Sequence, residues 1–359
     1  MRSDIFPERL KSARLIKGFS LRKLSAQTGG KVSANSLSRY EKGVMVPGED
    51  IFYALCDALD IPPSFFERPP VHLQEVEFRK LTKLPLKKQQ QIREEAADYL
   101  GRYAELEQLL GVEQRFENPF GSKPRIRGRE DMEEYCDQLR QRWNLGTNPI
   151  SDVMSMLESH DLKIQKINIE ESFDGMAAAA EWNGELHRII VINTNDRQSV
   201  RWRFTALHEL AHIIFDLSEI TDEQTCERLC HHAAGAILLP GEELKERLGE
   251  KRTSIHVNEL IAIKEDFGIS LGAIIFRAKF LNIISDSYAN QQFRYFNMRG
   301  WRGPREPGEF CLPRRSSQSD RFSQLIYRGI EEEMISLSKA AHLSGMRTDE
   351  FLSTYNNPA

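Results

Sequence analysis

The sequence of 359 residues predicts a helix-rich α+β protein with an all-α domain at its N-terminus. Apolar residues at helical spacing recur in short segments of residues 6–66, which predicts a bundle of short helices. Apolar runs at 162–167, 176–180 and 187–192 predict a small group of strands in the middle of the chain. Helical spacing then returns and continues to residue 351, so we expect the C-terminal part to be helical.

Residues 6–66 carry the pattern of several helices separated by tight turns. Ser20 is the predicted N-cap of the second helix, and the glycine pair at 29–30 ends that helix. The segment 33–43 begins with small polar residues, as a recognition helix does where it meets the edges of bases. This arrangement resembles the Cro/repressor (XRE) type of helix-turn-helix domain.

The N-terminal segment is basic although the chain as a whole is acidic. Residues 1–45 contain ten Lys or Arg and three Asp or Glu, whereas the net charge of the chain is −4. Such a local basic face is expected of a module that contacts DNA. The residues expected in the groove are Asn35, Ser36, Ser38 and Arg39, and those expected on phosphates are Arg22 and Lys42. Specific binding would require a homodimer, because one such domain reads only a half-site.

The same domain has an alternative use in contacts between proteins. It could dock onto a substrate repressor of the same fold, or inhibit the rest of its own chain. Proline pairs at 62–63 and 69–70 end it, and an amphipathic helix is predicted over 89–110. We expect the apolar stripe of that helix to pack on the following domain, with self-association as the alternative. Four parts are predicted: a helix-turn-helix domain at 1–70, a helical linker at 71–128, a catalytic domain at 129–285, and an extension at 286–359 that consists of a loop followed by helices.

The most informative motif is His208-Glu209-Leu210-Ala211-His212, within an apolar helical run. Positions i and i+4 lie on one face of a helix, so the two imidazoles can bind one Zn²⁺ ion. Glu209 directly follows the first histidine and is the candidate general base. This H-E-x-x-H pattern is typical of zinc hydrolases, usually peptidases, in which the metal lowers the pKa of a bound water. An ordinary amphipathic helix with two histidines is the alternative.

A zinc hydrolase needs a third protein ligand and one open position. Glu227 is the preferred candidate, because it opens a small-residue helix that can pack closely on the first helix and that Pro240 would end. The other candidate ligands are Asp216, Asp222, Glu223, His231 and His232. A further group should stabilise the oxyanion, for which the candidates are His231, His232, His187 and Tyr135.

Residues 204–212 and 227–240 together resemble the ImmA/IrrE metallopeptidases. The second segment is similar to that family's signature E-x-x-A-N-x-F-A-x-x-L-L-x-P. Three residues stand where the family usually has Ala, Asn and Phe, namely Cys230, His231 and Ala233. The resemblance covers roughly residues 130–285. It implies an all-α helix-turn-helix domain fused to a zincin-like metallopeptidase domain with a C-terminal helical extension.

The resemblance also implies a function. Known substrates of the family are helix-turn-helix repressors, which are cut to derepress a mobile element, a DNA-damage response or an antiphage operon. We therefore expect a zinc-dependent endopeptidase with one Zn²⁺ per chain and a repressor as its protein substrate. The alternative is a DNA-binding regulator or an antitoxin whose metallopeptidase-like domain senses a signal without turnover.

Composition limits the location of the chain. A hydrophobic content of 40% is enough for two or three domain cores, but no apolar run approaches the length of ~18 residues that a membrane span requires. The start lacks the apolar region of a signal peptide. Five cysteines, an odd number, indicate a reducing cytoplasm. Cys311, among arginines, is either a regulatory thiol that occupies the open zinc position or a free loop thiol.

Overall fold

The computed structural model describes residues 4–74, 84–112, 114–170, 173–195, 199–303, 305–310 and 321–356. The chain forms two compact units. Unit 1 comprises Met1–Arg115, Ala178–Ile189 and Ser319–Ala359, and unit 2 comprises Phe116–Ala177 and Ile190–Gln318. Within the described residues, none of the helices combines the length and the apolar character needed to cross a membrane.

The predicted helix-rich α+β class is confirmed. In the described residues the α-helices are α1 (Phe6–Ile16), α2 (Leu21–Gln27), α3 (Ala34–Glu41), α4 (Glu49–Leu59), α5 (Leu86–Leu110), α6 (Arg129–Arg142), α7 (Val153–Ser159), α8 (Ser199–Ile214), α9 (Glu223–Leu238), α10 (Gly241–Leu248), α11 (Val257–Phe267), α12 (Leu271–Phe280), α13 (Asp286–Arg299), α14 (Arg321–Glu331), α15 (Leu337–Ser344) and α16 (Thr348–Asn356). The strands are β1 (Leu73–Gln74), β2 (Lys163–Ile167), β3 (Gly175–Trp182) and β4 (Glu185–Asn193).

The helix-turn-helix of unit 1 begins with capped helices. Ser20 caps α2 as predicted, because its side chain accepts a hydrogen bond from the backbone N–H of Lys23. Ser33 caps α3 in the same way through the N–H of Ser36. The apolar faces of α1 to α4 meet in one buried core, whose largest members include Phe6, Leu10, Leu24, Leu37 and Phe66. The core fixes α3 with its polar side chains on the outside.

The predicted connecting helix is α5, but the prediction for its apolar stripe was wrong. The stripe packs on α1, α14 and α15 within unit 1. The rings of Tyr103 and Phe322 stack there with their centroids 5.0 Å apart. A local spacing pattern reports that one face is buried but carries no information on which helix covers it, so the partner could not be read from the sequence.

Asp98 on α5 ties this helix to its neighbours electrostatically. Its carboxylate lies 2.8 Å from Arg9, 3.2 Å from Arg68 and 3.0 Å from Arg102. Burial on its own would raise the pKa of Asp98, but the guanidinium groups of Arg102, Arg68 and Arg9 outweigh it and hold the pKa at about 2. The carboxylate therefore stays ionised and holds α1 and α5 together at neutral pH.

The sheet has the strand order β1-β3-β4-β2, with β1 antiparallel to β3 and Leu73 opposite Ala180. The two-residue turn between β3 and β4 is Asn183-Gly184, and both residues have positive φ, as a tight hairpin requires. At the other end of β3, a Cβ on Gly175 would lie 2.7 Å from the side chain of Thr205 on α8. Only glycine fits at this point, which lets β3 lie close beneath α8.

The core of unit 2 forms around α8 and α9, which pack on each other. The inner face of α9 consists largely of small residues that are fully buried, among them Ala233, Ala234 and Ala236. Small side chains let two helix backbones approach closely, as the sequence predicted for this pair. The helix ends at Leu238, and Pro240 lies at the N-terminus of α10.

Residues 286–299 form a helix, although the sequence predicted a loop at the start of the C-terminal extension. Ser285 caps α13 through the N–H of Tyr288, and Ala289 and Phe296 are buried against the core of unit 2. Gly300, with φ of 67°, ends the helix in the left-handed region. The predicted domain boundaries as a whole remain predictions, because compact units defined by contacts do not show which segments fold independently.

Candidate functional site

Two helices of unit 2 bring three ligand side chains to one point. His208 and His212 lie one turn apart on α8, and Glu227 lies in the first half of α9. The two Nε2 atoms are 3.2 Å apart, and the carboxylate oxygens of Glu227 lie 3.4 Å from His208 and 3.5 Å from His212. All three ligand atoms fall within 4.8 Å of one another, so they could hold one metal ion.

The donor set and its spacing fit a tetrahedral zinc ion. Ligand atoms at about 2.0–2.1 Å from zinc in tetrahedral geometry are separated from one another by about 3.3 Å. The Nε2–Nε2 separation of 3.2 Å is close to this value, and each histidine has a different carboxylate oxygen of Glu227 at a similar distance, Oε2 at 3.4 Å from His208 and Oε1 at 3.5 Å from His212. The side chain of His208 is buried, that of His212 is nearly so, and Glu227 is 28% exposed, which leaves one side of the group accessible.

Glu209 is fully buried beside the first ligand. Glutamate is almost never fully buried unless it is paired or has a special role. Its position on α8 is the one that the H-E-x-x-H pattern gives to a general base. The structure thus removes this carboxylate from solvent, at the position directly after the first histidine of the group.

Two residues of α9 extend the site beyond the ligands. The Sγ of Cys230 lies 3.7 Å from the Nδ1 of His212, on the far side of the imidazole from the ligand atom. Groups that contact the second nitrogen of a ligand histidine fix its orientation and its tautomer. The sequence pattern alone did not predict this role for Cys230. The spacing could have indicated it, because a residue three positions after Glu227 lies on the same face of the helix as the candidate ligand.

His231 is the second of these residues. Its ring lies 4.4 Å from the ring of His208, centroid to centroid, and stacks on Phe204 at 5.9 Å. Its Nδ1 is 2.7 Å from the backbone oxygen of Glu227, so Nδ1–H donates there. Among the four candidates for oxyanion stabilisation, this is the one placed beside the ligands within unit 2.

The other three candidates have different surroundings. His232 lies 2.7 Å from the carboxylate of Glu133, and burial lowers the pKa of His232. Tyr135 packs against the rings of Phe120 and Phe215. His187 is buried on β4 in the part of that strand that belongs to unit 1. Two of the four therefore have structural partners of their own within unit 2.

The rival third ligands do not join the group in the described part of the chain. Asp222 is the N-cap of α9, where it accepts hydrogen bonds from the N–H groups of Gln224 and Thr225. Asp216 accepts from the N–H of Ser218. Glu223 lies in the first turn of α9, one turn before Glu227. The proposed regulatory thiol Cys311 lies outside the described residues.

The residues predicted to contact DNA lie on α2, on α3 or directly after α3. Four of them are exposed, namely Arg22, Asn35, Arg39 and Lys42, and two are half-buried, namely Ser36 and Ser38. The hydroxyl of Ser36 also lies 3.0 Å from that of Ser33, within the cap of α3. Glu41, at the end of α3, receives two hydrogen bonds from Arg14, so part of the basic charge near α3 is neutralised inside the domain.

Comparison with known proteins identifies both domains. Residues 158–279 match the family model described as the IrrE N-terminal-like domain. Residues 10–66 match the family model described as helix-turn-helix. A search of curated proteins finds no match to the chain. Together the two domains support a regulatory role, by cleavage of a regulator or by other means. The chain thus joins an XRE-type helix-turn-helix domain to an IrrE/ImmA-like metallopeptidase domain.

Proposed function

We propose that this protein is a zinc-dependent endopeptidase that cleaves a helix-turn-helix repressor. The observation that supports it best is the group of His208, His212 and Glu227, whose ligand atoms lie within 4.8 Å of one another next to a buried Glu209. A structural zinc site closes its coordination shell with four protein ligands, whereas a catalytic site keeps one position open. Three ligands with one accessible side correspond to the second kind of site.

When bound, Zn²⁺ supplies Lewis acidity that polarises a peptide carbonyl and lowers the pKa of a water molecule. The residues of the chain do the rest. Glu209 accepts the proton of the attacking water and passes it to the leaving amine. His231, when protonated, donates a hydrogen bond through Nε2 to the carbonyl oxygen as that oxygen gains negative charge, because its Nδ1 is already engaged by the backbone of Glu227.

The substrate class follows from the architecture. The chain carries a helix-turn-helix domain beside an IrrE-like domain. The ImmA/IrrE metallopeptidases that residues 204–212 and 227–240 resemble cut helix-turn-helix repressors, and we propose the same substrate class here. We propose that cleavage relieves repression of a stress, mobile-element or antiphage operon. The four cysteines in the described part of the chain form no disulfide bond with one another. Free thiols are typical of reducing compartments, so we propose that the protein acts in the cytoplasm.

The test pairs a ligand variant with a matched control on the same helix. Purified wild-type protein is expected to contain one zinc ion per chain and to cleave a repressor of the XRE type. Glu227→Gln is expected to lose the zinc and the cleavage together. Glu223→Gln, which changes a carboxylate one turn away on α9, is expected to retain both. Zinc is measured by atomic emission and cleavage by mass spectrometry of the fragments.

Two results would contradict the proposal. Absence of zinc from the wild type, even after incubation with Zn²⁺, would contradict the metal centre. Stoichiometric zinc without cleavage of any repressor tried, with or without single-stranded DNA as an activator, would favour a regulator that senses a signal without turnover.

We also propose that α3 binds DNA as part of a homodimer, with Asn35, Ser36, Ser38 and Arg39 in the groove and Arg22 and Lys42 on phosphates. Lys42→Ala is then expected to weaken binding to all sequences and to reduce the slope of log affinity against log salt by about 1. Lys251→Ala, an exposed lysine of unit 2, is the control and is expected to leave the slope unchanged. Equal slopes for the two variants would favour a docking role for this domain.

A further inference from the structure

A cavity of about 590 Å³ lies in unit 2. Five aromatic side chains line it, namely Phe204, Phe276, Phe293, Phe296 and Trp301. They come from α8, from α12, from α13 and from the turn after α13. Four of the five are half-buried, so part of each of these rings remains accessible. A concave aromatic site of this volume is typical of a pocket for an apolar group.

The cavity adjoins the candidate metal centre. Phe204 and His231 both line it, and the ring of His231 stacks on Phe204 while lying 4.4 Å from the ring of His208. Phe204 and His208 are one helical turn apart on the same face of α8, a rise of about 6 Å. Residues i and i+2 of an extended peptide are separated by about 6.7 Å. These two lengths match, so an extended peptide at the metal ligands would have a neighbouring side chain within reach of the cavity.

We propose that this cavity is a specificity pocket that binds one large apolar side chain of the substrate, aromatic or leucine-like, near the scissile bond. The inference rests on the proposed peptidase function. Three of the four charged residues that line the cavity are paired within unit 2: Arg201 donates to Asp174 at 2.9 Å, and Glu306 lies 3.0 Å from Lys264. The fourth, Arg302, is exposed and lies over the ring of Phe293, 5.9 Å from its centroid. The five aromatic rings make up most of the apolar part of the wall, which favours an apolar side chain over a charged one.

The wall is built partly by the C-terminal extension. Phe293, Phe296 and Trp301 follow the segment 158–279 that matches the peptidase family. Trp301 is held in place because its backbone N–H donates to the oxygen of Phe296 at 2.9 Å, with the two rings 5.8 Å apart. The preference of the pocket therefore depends on residues that the family model does not describe.

Gly272 offers a way to fill the pocket. It lines the cavity on α12, and a Cβ at this position would meet no atom within 4 Å. Gly272→Phe places a ring in that open space without a clash at the backbone. Gly272→Ala adds only a methyl group and is the size control.

The experiment uses a set of internally quenched peptides. They differ only at one residue near the cleaved bond, which is Phe, Leu, Ala or Asp. Wild-type protein is expected to cleave the Phe or Leu peptides with kcat/KM at least about tenfold above the Ala peptide. Gly272→Phe is expected to reduce this ratio to below about threefold, whereas Gly272→Ala keeps it. Fluorescence anisotropy measures the affinity of each labelled peptide for the Glu209→Gln protein, which does not turn the peptide over. The affinities are expected to show the same ratio between peptides.

The outcomes separate this inference from the proposed function. Cleavage by wild type without a preference, or a preference that survives Gly272→Phe, overturns the pocket and leaves the peptidase intact. If Gly272→Phe changes kcat/KM by the same factor for all peptides, the cavity would be an effector site, and the specificity pocket is overturned as well. An affinity ratio of about tenfold without any cleavage supports the pocket and counts against the peptidase. If the wild type shows neither the affinity ratio nor cleavage, both the pocket and the peptidase function are overturned.

Discussion

Glu209→Gln is expected to lower kcat/KM for repressor cleavage by about 10²–10⁴-fold while the protein keeps its zinc. Glutamine has nearly the same shape as glutamate but cannot accept a proton at neutral pH. The ligand group of His208, His212 and Glu227 does not include residue 209, so metal binding should persist. The measurements are steady-state cleavage rates, zinc per chain, and the melting temperature of each variant.

The control for this variant is another buried glutamate of unit 2. Glu158 on α7 is 5% exposed and lies outside the ligand group, so Glu158→Gln tests whether loss of a buried charge alone impairs cleavage. We expect Glu158→Gln to cleave at the wild-type rate per folded molecule, once any loss of stability has been corrected for. If Glu209→Gln kept more than about a tenth of the wild-type rate, proton transfer by Glu209 would be excluded as a major contribution.

Glu133→Ala is expected to destabilise unit 2 by about 3–5 kcal/mol. Glu133 on α6 receives hydrogen bonds from Arg277 on α12, one of them 2.7 Å long, and lies 2.7 Å from Nε2 of His232 on α9. The side chain of Arg277 is only 1% exposed. Removal of the carboxylate would leave this guanidinium buried without its ion pair, which costs far more than the loss of a surface contact.

The matched control is the next residue of the same helix. Glu134 is exposed and accepts a hydrogen bond from Gln138, so Glu134→Ala should change stability by no more than about 0.5 kcal/mol. Urea unfolding followed by tryptophan fluorescence measures both variants. A loss below about 1 kcal/mol for Glu133→Ala would show that the buried cluster does not anchor the ligand helix α9.

The same cluster gives a pH dependence with a definite sign. Burial would raise the pKa of Glu133, but the hydrogen bonds from His232 and Arg277 outweigh it and hold the pKa at about 2, below the ordinary value of 4.5. Because the folded pKa is the lower one, this stabilisation is fully present above about pH 4.5 and is lost as the pH falls toward 2. Glu133→Ala should therefore lose stability less steeply than wild type between these values.

Both sites were predictable to the extent that their chemistry is local in sequence. The spacing of His208 and His212 already places two imidazoles on one helix face, and the caps Ser20 and Ser33 act within three residues. Helical spacing after the predicted strands likewise indicated the helical C-terminal part, in which α8 to α16 lie. These features depend on the geometry of one helix, which a short stretch of residues specifies alone.

Contacts between segments that are distant in the chain could not be predicted from local sequence patterns. The sequence left six candidates for the third ligand, and the packing of α9 on α8 brings Glu227 to the histidines. The packing also directs His231 toward His208 and its neighbour His232 toward Glu133. Adjacent residues on a helix point about 100° apart, but only the position of the neighbouring helices decides which direction leads to the site.

The sequence by itself determined the two domain types, the helix that carries the two histidines and the identity of the candidate base. The tertiary structure decided the third member of the ligand group, the burial of α5 against α1, and the aromatic cavity that combines α8 and α12 with the C-terminal extension. The physical reason is that hydrogen bonding and periodicity within a helix act over a few residues, whereas a ligand group or a pocket requires side chains that are far apart in the chain.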